Sequence, residues 1–385
     1  MRQKLVMGAI QDKISRGKLH MAGTLYEGAR KWVAQTVIYK RFRDFQSAKK
    51  IPKYSTLSTE QSVQQQKSIV FLCPATDMPI GGVKVIYNQG AVINEMNGKL
   101  AASILHPLNT DFSCTWFASS VAIKQDLAFN ISNDFVMIPE FWAVPHARLL
   151  HKLGVRYGIY VQNGYSISFN AGEELDAAYR HAALILAISD DSVECIKLAF
   201  PECAGRVHRV HCSVNVDKFI AAPNKQNIIC YMPRKLKRHS QLVTFFLNKK
   251  IPLHWRIESI DGLNEDSVAS ILGKSKIFLS FSEFEGLSLP PIEAALSGCH
   301  VIGYTGEAAK EYWDKEIFTE IHCGDIKAFV NAILNKIDVI DSSVHILYPA
   351  AINKLANRYS AKVELIDMQF VSNKIFEILN NAAVE

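Results

Sequence analysis

The 385-residue chain contains no run of the roughly 18–20 apolar residues that a helix needs to cross a bilayer. Its first apolar stretch, residues 5–10, is too short for the core of a secretory leader. The eight cysteines include no Cys-x-x-Cys pair, and several lie in apolar strand-like runs, so they read as reduced core residues of a cytoplasmic protein. His208, His211 and Cys212 could in principle ligate zinc, but their spacing fits no standard site. Asp-x-Asp is absent, and so is the Gly-x-Gly-x-x-Gly fingerprint of dinucleotide enzymes, which counts against a Rossmann oxidoreductase.

What is present is a globular composition, 49% hydrophobic and only 21% charged, long enough for two domains. Charge is unevenly distributed. Residues 1–53 carry 13 Lys and Arg against three acids, a net of +10, so the whole-chain value of +6 leaves −4 for the remainder. Leu25, Ala29, Trp32, Val33 and Thr36 fall at helical spacing among these cations. A basic helical segment of this kind suits either packing on the body or contact with an anionic membrane surface; no recognisable nucleic-acid motif accompanies it. Residues 55–67 are polar and repetitive, and read as a linker.

From residue 68 the pattern alternates between strands and helices, predicting an α/β fold. Strands are expected at 68–73, 100–105, 134–138, 158–161, 183–188, 207–211, 227–231, 253–257 and 277–281. Several end on residues with chemistry. The first runs through a loop to Gly81-Gly82 and an apolar helix, a geometry that lets backbone approach a phosphate. The third is followed by Glu140, the fourth by Gln162-Asn163, and the strand at 227–231 by Arg234, Lys235, Lys237 and Arg238. Arg forks and Lys point charges at a strand's carboxyl end suit a diphosphate. Residues 281–304 complete the series, with Glu285 expected in a loop and Glu293 in the first turn of a helix that begins near Ile292 and stops at Gly298.

Glu285-Gly286-Leu287-Ser288-Leu289-Pro290-Pro291-Ile292-Glu293-Ala294 resembles the signature of retaining nucleotide-sugar glycosyltransferases of the GT-B architecture, the family called glycosyl transferases group 1. Its usual form is Glu-Gly-Phe-Gly-Leu-Pro-x-x-Glu-Ala, so Leu287 and Ser288 depart from it. Gly81-Gly82 with Lys84 and Val85, the Pro-Glu-Phe-Trp at 139–142 and the Gln-Asn-x-Tyr at 162–165 resemble the rhamnosyltransferase-like branch. The segment 214–219 resembles the family's interdomain hinge, and Gly306 lies in a segment resembling its loop beside the diphosphate.

The resemblance implies two Rossmann-like domains facing a cleft: an extension and linker over 1–67, an acceptor-side domain over 68–221, and a nucleotide-sugar domain over 222–385 whose last helix returns to the first. It implies Glu285, Arg234, Lys235 and Glu140 as catalytic residues. Donor binding falls to Glu293, to Gly286, Leu287, Ser288 and Leu289, to Lys237, and to Gly81, Gly82 and Gly306; His106 or His146 is the acceptor-side histidine. The implied function is transfer of a sugar, rhamnose being one candidate, from a nucleoside diphosphate to a glycan or lipid-linked glycan in cell-surface polysaccharide synthesis. Configuration would be retained and neither metal nor other cofactor used, in the cytoplasm or on the inner face of the membrane. The alternative is a glycosyltransferase-like binding or assembly subunit without catalysis.

Overall fold

The computed structural model describes residues 52–56, 66–78, 80–96, 98–342 and 348–381. The chain divides into two compact units, Met1–Ile51 and Pro52–Glu385. The basic segment falls almost wholly in the first, outside the described residues; residues 57–65 of the expected linker belong to the second unit and also lie outside them. The linker's near end is ordered: β1 (Ser55–Thr56) pairs in parallel with β5 (Ala128–Phe129).

Two all-parallel sheets organise the larger unit. The first contains β2 (Lys67–Leu72), β3 (Leu100–Leu105), β4 (Ala122–Lys124), β6 (Asp134–Pro139), β7 (Arg156–Val161), β8 (Leu184–Ala187) and β9 (Val207–Arg209). Their order, β4-β3-β2-β6-β7-β8-β9, reverses between β2 and β6. The second contains β10 (Gln226–Tyr231), β11 (Arg256–Ser259), β12 (Ser275–Glu285), β13 (His300–Glu307) and β14 (Phe318–Glu320), in the order β11-β10-β12-β13-β14. This order reverses between β10 and β12. Both are doubly wound Rossmann-like sheets, and each places its crevice at the carboxyl ends of the strands flanking the reversal.

The central strands are apolar on both faces because helices cover both. Ile69 and Phe71 point into one cluster and Val70 and Leu72 into the other, all at most 1% exposed. The helices that matter for the site are α1 (Gly81–Glu95), α2 (Ala143–Lys152), α3 (Glu173–His181), α4 (Asp190–Ala199), α5 (Lys237–Leu247), α6 (Glu265–Lys274) and α7 (Leu289–Leu296). They are followed by α8 (Ile326–Ser342), α9 (Pro349–Arg358) and α10 (Ala361–Asn381). The helix expected at the chain's end is α10, which Tyr359-Ser360 separates from α9. The stripe Met368, Val371, Ile375 and Leu379 of α10 is buried in the core of the first sheet.

Other elements shift by a few residues from expectation. Leu253 is fully exposed, and the strand assigned to 253–257 starts at Arg256. Helix α7 starts at Leu289 with its prolines in the first turn, where a missing N–H costs nothing, and Gly298 closes it at φ 77°. Strand β12 runs on to Glu285, so that residue ends a strand instead of sitting in a loop.

Candidate active site

The reversal in the second sheet brings two expected site residues into contact. Lys235 follows β10, Glu285 ends β12, and Lys235 Nζ lies 2.6 Å from Glu285 Oε1. Arg234, Lys237 and Arg238 are exposed in the same turn and the first turn of α5, which contains no acid. Cations at the positive end of a helix dipole are unfavourable by about 0.3–1 kcal/mol each. The turn therefore gathers cations beside a helix N-terminus, an arrangement that suits a bound polyanion.

Backbone strain gathers at the same place. Among the described residues three non-glycines have positive φ: Leu236 at 43°, Phe284 at 48° and Glu307 at 70°. Leu236 adjoins Lys235, Phe284 adjoins Glu285, and Glu307 is the register partner of Glu285 on β13. Each such residue costs on the order of 1–3 kcal/mol and persists where the surroundings hold it, most often at functional sites. Gly306, at φ 61°, packs so closely that a Cβ there would sit 3.2 Å from Glu285 Cγ and 2.8 Å from Ser282 Cβ.

Glu293 lies one helical turn into α7 and is half-buried. Burial, with a smaller push from Glu265, raises its carboxyl to about 7, while Lys84 pulls the other way. Its carboxylate accepts no hydrogen bond among the described residues. Lys84 comes from α1 in the first lobe and pairs with Glu265, which Lys218 also meets at 2.9 Å. Ser288 is buried, bonded through Oγ to Ser282 Oγ at 2.9 Å, and its carbonyl accepts from Tyr312 OH at 2.6 Å. A serine side chain is thus accommodated where the family motif has glycine. Leu287 and Leu289 pack against cores of both lobes.

The facing edge of the first lobe is built around Glu140 and Gln162. Glu140 is 3% exposed, and burial raises its carboxyl to about 7 although the backbone of Gln162, Glu140 and Asn163 donates to it. Gln162 N donates to Glu140 Oε2 at 3.2 Å, and Gln162 Nε2 to the Gly82 carbonyl at 3.0 Å. Glu140 is therefore a buttress under the 162–163 loop, and direct contact with substrate hydroxyls is not open to it in this arrangement. At Gly82 a Cβ would meet Gln162 Oε1 at 2.7 Å and displace that side chain, whereas Gly81 has open space around it.

The two edges touch. Asn163 Nδ2 donates to the Phe284 carbonyl at 2.9 Å, and the rings of Tyr165 and Phe284 lie 5.1 Å apart. Gly286 sits against Gln162 so tightly that a Cβ would come within 1.7 Å of its carbonyl oxygen. A charged knot reinforces the closure: Glu311 takes Arg209 at 2.9 Å and the Asp190 N–H at 2.8 Å, and Arg358 meets Asp190 at 2.9 Å. Sequence reading missed Arg209 and Arg358, which no short motif marks, and gave no role to Glu311 or to Tyr165 of the Gln-Asn-x-Tyr piece.

The histidines are structural. His106 is fully buried between Tyr87 OH (2.7 Å) and the Cys73 carbonyl (2.9 Å), and burial lowers its pKa. His146 is buried against Tyr54 and Trp142, with its pKa pushed down to about 3 by burial. His211 is bonded to Asp367 at 2.8 Å, and the described residues hold no group of three His, Cys, Asp or Glu side chains able to bind a metal.

No family model matches the chain. An α-1,6-glucosyltransferase of Actinobacillus pleuropneumoniae serotype 7 (strain AP76) is 36% identical over 83 residues, which is 21% of this chain and only 25% of that protein's length. Sucrose-phosphate synthase from Thermosynechococcus elongatus superposes with a TM-score of 0.60 at 11% identity, over 81% of this chain and 100% of that one. Anabaena HepE in complex with UDP-glucose gives 0.54 at 12% identity over 80% and 99%. The lipopolysaccharide outer core galactosyltransferase WaaB gives 0.55 at 15% identity over 80% and 99%. With two doubly wound lobes closed on one another and these superpositions, the protein has the fold of the GT-B glycosyltransferases.

Proposed function

We propose that the protein is a glycosyltransferase that moves a sugar from a nucleoside diphosphate to a glycan acceptor with retention of configuration. The observation that carries this reading is the Lys235–Glu285 pair at the reversal of the second sheet, with Glu293 unsatisfied beyond it. A nucleotide sugar laid along this edge would place its ribose hydroxyls on Glu293 and its diphosphate at Arg234, Lys235 and the α5 N-terminus. Its sugar would then meet Glu285. Lys235 exchanges its carboxylate partner for the diphosphate, and the freed Glu285 oxygen accepts from a sugar hydroxyl. As the glycosidic bond breaks, negative charge grows on the departing diphosphate, and fixed cations there stabilise the transition state more than the ground state.

The named relatives support this class without fixing the sugar. One is a glucosyltransferase, one a galactosyltransferase acting in lipopolysaccharide, and one is solved with UDP-glucose. The branch resemblance suggests rhamnose. A role in surface polysaccharide synthesis on the inner membrane face, and metal independence, belong to the same proposal. No described helix is long and apolar enough to cross a membrane.

The test is transfer from a panel of nucleotide sugars by wild type, Glu285→Ala and Arg234→Ala. Loss of about 100-fold or more in both variants, with unchanged melting temperature, is expected. Transfer near wild-type rate in either would refute these roles. A wild type that binds a nucleotide sugar and never turns it over would instead favour the non-catalytic assembly subunit.

A further inference from the structure

Helix α5 and the loop after it form a surface that is both cationic and apolar. From Lys218 to Ile257 the chain carries nine Lys or Arg and no Asp or Glu, although it has 37 acids in all. Helix α5 turns Ser240, Val243 and Leu247 into the lobe. Its outer face presents Arg238, Gln241 and Phe245, and Lys249 continues that line at helical spacing. Phe245 and Phe246 are 57% and 46% exposed, with ring centroids 5.3 Å apart, and Lys249 Nζ lies 5.9 Å from the Phe245 centroid.

The chain then folds back on the helix end: the N–H groups of Lys250 and Ile251 both donate to the Leu247 carbonyl at 2.8 Å. A turn closed by the Trp255 N–H on the Pro252 carbonyl at 2.9 Å holds Leu253, fully exposed, at its tip. Ile251 and Trp255 anchor this turn in the core, and Trp255 Nε1 donates to Asp341 Oδ1 at 3.1 Å. Asp341 also meets His254 Nε2 at 2.9 Å, so the acid that the loop meets is already engaged. Neither Lys249 nor Lys250 meets a carboxylate among the described residues.

Two aromatic rings and a leucine held in water beside unpaired lysines match the headgroup layer of an anionic bilayer. There the apolar groups enter the acyl boundary while the ammonium groups stay at the phosphates. Charge decides among the occupants of such a face. A second copy docked through the same face would set lysine against lysine, and the first 53 residues, at net +10, bring the same sign. Helix α5 runs from the turn after β10 back to the amino end of β11, so these residues lie at the end of the lobe away from Glu285 and leave the cleft open.

We propose that residues 245–254 are a membrane-docking surface of the second lobe that takes anionic lipid. Docking here depends neither on residues 1–53 nor on the transfer reaction.

The test is co-sedimentation of the full chain with vesicles of phosphatidylcholine alone, or of phosphatidylcholine and phosphatidylglycerol in about equal parts. Wild type is compared with Lys249→Gln/Lys250→Gln, with Leu253→Ser, and with Lys152→Gln/Lys362→Gln, which removes the same charge elsewhere. All these side chains are exposed, so folding is preserved, and an unchanged melting temperature checks it. Wild type should bind the anionic vesicles and not the neutral ones. Partitioning should fall about fivefold for each lysine neutralised at 249 and 250, several-fold in Leu253→Ser, and little in Lys152→Gln/Lys362→Gln. Wild type that binds neither vesicle or both equally, partitioning unaltered in Lys249→Gln/Lys250→Gln, or an equal loss in Lys152→Gln/Lys362→Gln would each overturn the surface. A dimer that Leu253→Ser dissolves, in place of vesicle binding, would overturn it in favour of a second copy.

Discussion

Glu140 and Glu293 occupy facing edges of the two lobes, and burial raises each to about 7. Their surroundings differ in kind. Glu140 is almost inaccessible and is met by backbone N–H groups of its own lobe. Glu293 is only partly buried as a residue, and no protein donor among the described residues reaches its carboxylate. A buried carboxylate already satisfied by the chain holds the chain in place; one left unsatisfied at a cleft edge is prepared for hydroxyls brought by a ligand. The first lobe's edge is thus built as a scaffold, and the second lobe's edge is the one to which the proposed function assigns ligand binding.

The sharpest way to break this contrast is at the seam. Gly286→Ala places a methyl within 1.7 Å of the Gln162 carbonyl, so the edges must separate. We expect a loss of several kcal/mol in urea unfolding, or an expanded form by small-angle scattering. Gly81→Ala is the control: nothing lies within 4 Å of its Cβ, and it should stabilise by about 0.5–1 kcal/mol.

Next comes Glu140→Ala, which strips the acceptor from the 162–163 loop and should cost about 1–3 kcal/mol near pH 5, where the native acid is protonated. Glu293→Ala should be nearly neutral under the same conditions. A Glu293 variant as destabilised as the Glu140 variant would erase the distinction between scaffold and ligand carboxylate.

The smallest effect is pH dependence. Both acids ionise near 4.5 in the unfolded chain and near 7 in the fold. Between these values the folded protein holds protons that the unfolded chain has released. Their contribution is therefore favourable below about pH 4.5 and declines as pH rises toward 7, by at most on the order of 3 kcal/mol for each acid. Glu140→Gln should flatten this part of the stability profile, and urea titrations at pH 5 and 8 would show it.

Much of the second lobe was legible because its chemistry is local. Glu285 and Glu293 are separated by seven residues, and the basic turn follows its strand directly, so strand order and motif spacing place them without knowledge of distant packing. The first lobe's role was misread at Glu140, because a lone acid after a strand looks the same whether it faces solvent or its own backbone. His106 and His146 were opaque for the same reason: only the fold shows that Tyr87, Cys73 and Tyr54 occupy their ring nitrogens. The closure was invisible. It depends on the Gln162–Gly286 contact and the Arg209–Glu311 ion pair, each joining residues about a hundred or more positions apart, and no periodicity encodes such pairs. Nor does sequence mark Leu236, Phe284 and Glu307 for positive φ, since none is a residue type that favours it.

The most direct test of the contrast is a thermal-shift titration with UDP, dTDP, GDP and ADP on wild type, Glu293→Ala and Glu140→Gln. A nucleotide at about 100 times its dissociation constant should stabilise wild type by roughly 2.7 kcal/mol, a shift of a few degrees. The shift should vanish in Glu293→Ala and survive in Glu140→Gln. A nucleotide response that survives in Glu293→Ala, or that disappears in Glu140→Gln while that variant remains folded, would contradict the assignment of the two edges.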